Sequence, residues 1–183
     1  MYELDIAATQ AINGLAGKSG VLDHCMIWIS AIGVPILIVA VAIQWWRKDD
    51  RRHVRHVLLA AGLSVLFGLA LNQLILLFVQ RLRPYETGVT HLLIAKSTDP
   101  SFPSDHATAS AAIAIAFILH GTRRQGLWFL AAALVVMVSR IYIGTHYASD
   151  VLGGAVTAFI AAALVRAFFR EGTAVDRMVT SIL

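Results

Sequence analysis

Two apolar runs constrain this chain more than any other feature: residues 25–46 and 57–80 contain no formal charge. Either is long enough to cross a hydrocarbon core, which takes about 20 helical residues. In lipid such a run must satisfy its backbone polar groups internally, and a helix does so. Three further apolar stretches, 107–121, 125–139 and 151–165, are too short to span alone. Each reaches spanning length once the adjoining polar cluster is included: 103–106, 140–146 and 146–150. The residues that complete these crossings are thus the ones with chemical character. Composition agrees, because 58% of the residues are hydrophobic and 14% charged, whereas a soluble domain is nearer half apolar and about a quarter charged. The expected fold is all-α, a single membrane-embedded domain over residues 1–183. Its five transmembrane helices would lie at about 22–46, 56–80, 104–121, 124–143 and 147–169.

The formal charge of +4 suits either nucleic acid or an anionic membrane surface. The basic residues lie between apolar runs and form no groove-sized patch, so the expected surroundings are membrane lipids, with no nucleic-acid partner. Five spans put Arg47, Lys48, Arg51, Arg52, Arg55, Arg123, Arg124, Arg166, Arg170 and Arg177 on one side. Lys18, Arg81, Arg83, Lys96 and Arg140 fall on the other. The positive-inside rule then predicts an external N-terminus and a cytoplasmic C-terminus. In residues 3–17, Leu4, Ala8, Ala11, Ile12 and Leu15 recur at helical spacing, which predicts an amphipathic interfacial helix. A short cap packed on the bundle fits the same pattern equally well. Glu3 and Asp5 stand where a secretory signal would be basic. Cys25 is the single cysteine, so an intrachain disulfide is excluded.

Charges within spans are costly and usually face a cavity or a partner. The topology gathers three such clusters on the outer side: Arg81-Leu82-Arg83-Pro84-Tyr85, Pro103-Ser104-Asp105-His106, and the stretch from Ser139 to Asp150. Guanidinium forks match phosphate oxygens, which makes Arg81, Arg83 and Arg140 candidate phosphate ligands. Ser104 opens a helix whose free N–H groups favour an anion. His106 and His146 offer a nucleophile and a proton donor. His146 and Asp150 are four residues apart, so on a helix a carboxylate would orient the imidazole. Taken singly, each cluster has an ordinary structural reading: a helix start, a surface pair, a turn. Taken together on one membrane face, they read as a phosphate site. The sequence contains no compact His/Asp/Glu ligand set, so no metal or other cofactor is expected.

These residues resemble the type 2 phosphatidic acid phosphatase superfamily of membrane lipid phosphatases. Its signature comprises Lys-x6-Arg-Pro, Pro-Ser-x-His and Ser-Arg-x5-His-x3-Asp. Pro103-Ser104-Asp105-His106 matches the second block, and Ser139-Arg140 with His146 and Asp150 matches the third without a gap. Arg83-Pro84 ends the first block, but Leu76 stands where that family has lysine. Arg81, Asn72, Gln80 and Lys96 are the candidates to replace it, with Arg81 favoured for its nearness to Arg83. The chain is more particularly similar to bacterial undecaprenyl-diphosphate phosphatases of the bacitracin-resistance type. Ala11-Ile12-Asn13-Gly14-Leu15, Asn72, and Ser101-Phe102-Pro103-Ser104-Asp105-His106 carry that likeness.

The resemblance implies a metal-independent reaction in which His146 attacks phosphorus, oriented by Asp150, and His106 protonates the leaving oxygen. Arg83, Arg140, Ser104 and Arg81 would bind the phosphoryl group. It further implies hydrolysis of undecaprenyl diphosphate at the periplasmic face of a bacterial inner membrane, recycling the cell-wall carrier lipid. The alternatives are a phosphatase for phosphatidic acid, phosphatidylglycerol phosphate or lipid A, and a non-enzymatic binder or transporter of anionic lipids. Vanadium haloperoxidase chemistry is remote, because such enzymes are soluble and much larger.

Overall fold

The computed structural model describes residues 2–182, and among them there are helices and connecting turns but no strand. The helices are α1 (Tyr2–Asn13), α2 (Gly20–Ala42), α3 (Arg51–Leu76), α4 (Asp105–Leu119), α5 (Arg123–Tyr142), α6 (Ala148–Phe168) and α7 (Ala174–Thr180). A 3-10 turn, Ile43–Trp46, extends α2. Four helical segments are long and apolar enough to cross a membrane: Gly20–Trp46, Arg51–Leu76, Arg123–Tyr142 and Ala148–Phe168. α4, with 15 residues, is only about 22 Å long at 1.5 Å per residue.

The bundle is built around α4, which packs against α3, α5 and α6. Its run of Ala107, Thr108, Ala109, Ser110, Ala111, Ala112, Ile113 and Ala114 is buried throughout. Small side chains allow that many neighbours to approach one short helix. Many large apolar side chains point the other way. Leu66, Phe67, Leu74, Leu134, Leu152, Val156 and Phe159 are exposed, whereas Ser64, Asn72, Thr108, Ser139 and Thr157 are buried. Water would not tolerate so large an apolar exterior on a monomer. A hydrocarbon solvent accounts for it, and the chain is a multi-pass membrane protein.

α1 turns its polar side inward. Asp5, Thr9 and Asn13 recur every four residues along the face against the bundle, and Leu4, Ala8, Ala11 and Leu15 lie outward. Asn13 donates to the Tyr142 carbonyl at 2.7 Å and exchanges hydrogen bonds with the backbone of His91 at 2.7 and 2.9 Å. α1 is therefore a cap on the bundle, and Glu3 and Gln10 are exposed beside its outward apolar residues.

The segment between α3 and α4 contains no helix, yet it is tied down along its length. Leu93 N–H bonds the Ile143 carbonyl at 3.1 Å, Ser101 N–H the Arg81 carbonyl at 2.8 Å, and Thr90 Oγ1 the Gly144 carbonyl at 2.9 Å. Gly144 adopts φ 84°, and a Cβ there would press into the His91 carbonyl, so only glycine lets this segment cross over the end of α5. At the opposite end of the bundle, α7 docks on α3 through His56 and Asp176, 2.8 Å apart. Nothing in the hydropathy of residues 166–183 had pointed to α7.

Candidate active site

α4, α5 and α6 each bring one polar end to the same end of the bundle, and the segment after α3 closes over them. Ser104 is the residue before the first turn of α4, and its N–H bonds the Asp150 carbonyl at 3.1 Å. This joins the second and third sequence clusters directly. Arg140 lies in the last turn of α5, and His146 in the turn between α5 and α6. Arg83 is anchored by donating to the Asp99 carbonyl at 2.8 Å and the Thr145 carbonyl at 3.0 Å. Thr145 ties three of them together: its carbonyl accepts from Arg83, its N–H donates to the Arg140 carbonyl at 3.2 Å, and His146 follows it in the chain. His106, in the first turn of α4, joins this neighbourhood through the Ser104–Asp150 bond just before it.

His146 is 4% exposed. Its Nδ1 lies 2.8 Å from the Ser101 carbonyl. A carbonyl can only accept, so Nδ1 carries the hydrogen and Nε2 keeps its lone pair. Asp150 stands differently from the expected orienting partner. Its Oδ2 is 3.7 Å from Nδ1, beyond hydrogen-bond reach. His146 and Asp150 do not share a helical face, because α6 begins only at Ala148 and His146 precedes it. The carboxylate instead accepts from Tyr147 N–H at 2.8 Å and from Ser101 Oγ at 2.5 Å. It thus caps α6 and fixes the residue whose carbonyl orients His146. Burial pushes the His146 pKa below the ordinary histidine range. Arg140 and Arg83 push the same way and Asp150 opposes them. The imidazole is neutral at neutral pH, as a nucleophile requires.

Arg81 is engaged by carboxylates. One Nη donates to Asp150 Oδ1 and to Ser149 Oγ, both at 2.7 Å, and the other donates to Asp5 Oδ2 at 2.7 Å. Its guanidinium also lies over the Tyr147 ring, 3.9 Å from the centroid. Burial works against the cation, but the hydrogen bonds and charges of Asp5 and Asp150 outweigh it and raise its pKa. Burial likewise opposes the Asp5 carboxylate, and Ser149 and Arg81 reverse that and lower its pKa. The other candidates for the missing lysine stand elsewhere. Asn72 Nδ2 donates to Asp105 Oδ1 at 2.7 Å and Thr108 Oγ1 at 2.9 Å, Gln80 bonds the Leu76 carbonyl, and Lys96 is exposed.

Arg83 and Arg140 are different. They are 6% and 9% exposed, and among the described residues neither has a carboxylate ion-pair partner. Arg140 donates to Ser30 Oγ, but its Nε has no partner, and neither has the buried Ser104 Oγ. A buried polar atom left unpaired costs about 1–3 kcal/mol, and an uncompensated buried charge costs more. Two such cations, one with an unpartnered Nε, and the unpartnered Ser104 hydroxyl form a cradle for an anion with several oxygens. Among the described residues no cluster of His, Cys, Asp or Glu could hold a metal ion.

Sequence reasoning did not single out Asp5, Ser101, Ser30 or Tyr147 as parts of this site. Only Asp5 left a readable signal, the polar spacing Asp5, Thr9, Asn13, and that pattern does not say which way the stripe faces. Ser101 orients His146 through its carbonyl, which no side-chain motif reports, and holds Asp150 through its hydroxyl.

A membrane phosphatase is the class that this fold and site define. Residues 57–173 match the PAP2 superfamily, and the chain belongs to that family. It is a membrane lipid phosphatase. It is 36% identical over 161 residues to the undecaprenyl-diphosphatase BcrC of Bacillus subtilis, covering 88% of this chain and 80% of that one. It is 28% identical over 127 residues to a putative undecaprenyl-diphosphatase, YbjG, of Escherichia coli, covering 69% and 62%. In fold it is similar to a transmembrane PAP2-type phosphatidylglycerolphosphate phosphatase from Bacillus subtilis, with TM-score 0.67, 23% identity, and 94% and 88% of the two chains covered. It is similar also to LpxE of Aquifex aeolicus, with TM-score 0.63, 18% identity, and 90% and 96% covered.

Proposed function

We propose that this protein hydrolyses undecaprenyl diphosphate to undecaprenyl phosphate and inorganic phosphate through a phosphohistidine, using His146, His106 and Asp150. One observation carries the chemistry: two buried guanidiniums without carboxylate partners lie in the same neighbourhood as an imidazole held neutral with Nε2 free. The choice of lipid rests on the likeness to the undecaprenyl-diphosphatases. In the first step the Nε2 lone pair attacks the terminal phosphorus. The bond from that phosphorus to the bridging oxygen breaks, and its electron pair leaves on the lipid monophosphate. His106 gives that oxygen a proton. In the second step neutral His106 takes a proton from water, whose oxygen attacks the phosphorus. The P–N bond breaks, releasing phosphate and restoring His146. Arg83, Arg140 and Ser104 bind the phosphoryl oxygens and oppose the charge that grows on them. Arg81 and Asp150 position the turn that carries His146, since their hydrogen bonds are already committed to each other and to Ser149, Tyr147 and Ser101.

The reaction would take place at the outer, periplasmic face of a bacterial inner membrane. The excess of Lys and Arg at the opposite end of the bundle supports that orientation, with α4 as a fifth, shorter membrane-embedded helix in a single domain. A panel of phosphate-release assays on the purified protein tests the reading, run with and without chelator. Undecaprenyl diphosphate should be preferred over phosphatidic acid and phosphatidylglycerol phosphate, and chelator should change nothing. Preference for a glycerolipid monoester would replace the substrate. Unchanged phosphate release by His146→Ala would end the mechanism, and headgroup binding with no turnover of any ester would favour a lipid binder.

A further inference from the structure

Below the site, α2 and α5 diverge and leave a groove of about 320 Å³ between them. Its walls include Trp28, Ile32 and Ile36 from α2 and Ala132, Val135 and Val136 from α5. Trp28, Ile36 and Val135 are among the exposed large apolar side chains, so the groove opens sideways toward lipid. At Gly33 the two helices are in close contact, since a Cβ there would stand 2.7 Å from Val136 Cγ2. A side chain there would force Val136 or α2 to shift and change the groove.

The position of the groove points to its occupant. Val136 lies one helical turn before Arg140 on α5, and Ile29 and Gly33 flank Ser30 on α2. Ser30 and Arg140 are hydrogen-bonded to each other across the same pair of helices. The apolar groove therefore begins about one helical turn from Arg140, the member of the anion cradle that stands next to it along α5. Two other apolar hollows lie farther away. One is lined by Leu63, Phe67 and Phe168, the other by Ala61, Val65 and Ile113. In the first, the α6 residues are about four turns from Asp150, and in the second Ile113 is about two turns from His106.

We infer that the α2–α5 groove holds the first part of the hydrocarbon tail of the lipid whose phosphate sits at Arg140. This rests on the phosphatase reading above and adds to it where the chain leaves the active site. A tail entering here approaches from the bilayer rather than from water. The diphosphate then meets Arg140 first, with Arg83 and the histidines beyond it.

Two experiments on the full-length protein in liposomes test this. In the first, Ala132→Trp fills the groove while leaving every residue of the cradle in place. Its kcat/KM for undecaprenyl diphosphate should fall about tenfold or more, with KM carrying the change. Hydrolysis of the short isopentenyl diphosphate should stay within about twofold. An undiminished rate on the long lipid, or equal loss on both substrates, would overturn the inference. In the second, unmodified protein is crosslinked to an isoprenyl diphosphate analogue bearing a diazirine near its headgroup end. Label should fall within residues 28–37 and 132–136 and be displaced by undecaprenyl diphosphate. Label on Leu63, Phe67 or Phe168 would refute the placement. Label in the groove that the substrate does not displace would identify a bulk bilayer lipid there and overturn the inference. If no diphosphate of any length is hydrolysed, it is the phosphatase reading that falls, whereas the crosslink still reports on the groove.

Discussion

His146 depends on what its second nitrogen does. With Nδ1–H held by the Ser101 carbonyl at 2.8 Å, Nε2 is left as the nucleophile. Replacing His146 with Ala should lower phosphate release about a thousandfold or more. Incubation of the unmodified protein with 32P-labelled substrate should trap an acid-labile, base-stable label that His146→Ala lacks. Because burial and two arginines push the His146 pKa below 6.5, its protonation at low pH removes the nucleophile. The acidic limb of kcat/KM should therefore lie below pH 6.5, and a limb centred above that value would contradict the neutral imidazole. Arg140→Ala removes a donor to the developing charge and should cost about 10²–10³ in kcat. Ser101→Ala keeps the orienting carbonyl but loses the hydroxyl bound to Asp150. Its loss should be milder, about tenfold, consistent with one buried hydrogen bond.

At the scale of elements, α1 does work that its hydropathy does not announce. Asp5 accepts from Ser149 N–H at 2.8 Å and from Arg81, and Thr9 Oγ1 accepts from Ala148 N–H at 3.0 Å. α1 thereby satisfies N–H groups in the first turn of α6 that otherwise have no intrahelical acceptor, and it braces Arg81 against Asp150. Asp5→Asn should lower kcat about tenfold with KM little changed, since the residue touches no substrate. In an Arg81→Gln background the same change should have almost no further effect, because both act through one chain of contacts. Fully additive losses would show that the two residues act independently. α4 makes the complementary contribution. Its alanines and serines allow three helices to pack closely on it, and its N-terminal end carries Ser104 and His106.

Over the whole molecule, buried polar and small side chains share the interior with a core of Leu37, Val57, Leu58, Ile113 and Phe117, while many large apolar side chains cover the outside. The ends are unequal. One collects the cradle, the two histidines and α1. The other carries most of the basic residues, together with the buried His56–Asp176 pair. Asp176→Ala should lower stability by about 1–3 kcal/mol, read as a lower Tm in detergent, while kcat/KM is nearly unchanged. A large kinetic effect would mean that the two ends are coupled. Orientation is open to direct measurement in a Cys25→Ala background. A cysteine at Lys96 should react with a membrane-impermeant maleimide added outside intact cells, and one at Arg123 should not. The opposite pattern would place the site in the cytoplasm.

Helix content, membrane residence and the family were legible in the sequence, because each rests on local information. Charge-free runs must be helical in lipid, and Pro103-Ser104-Asp105-His106 and Ser139-Arg140 with His146 and Asp150 are contiguous motifs. What the tertiary structure alone decided were the partners. Whether Arg81 faces phosphate or Asp150, which acceptor holds His146 Nδ1, and whether the stripe of Asp5, Thr9 and Asn13 faces water or the bundle all depend on side chains brought together from distant positions. A hydrogen bond needs about 3 Å and a direction, and spacing along a chain specifies neither once the chain leaves a helix.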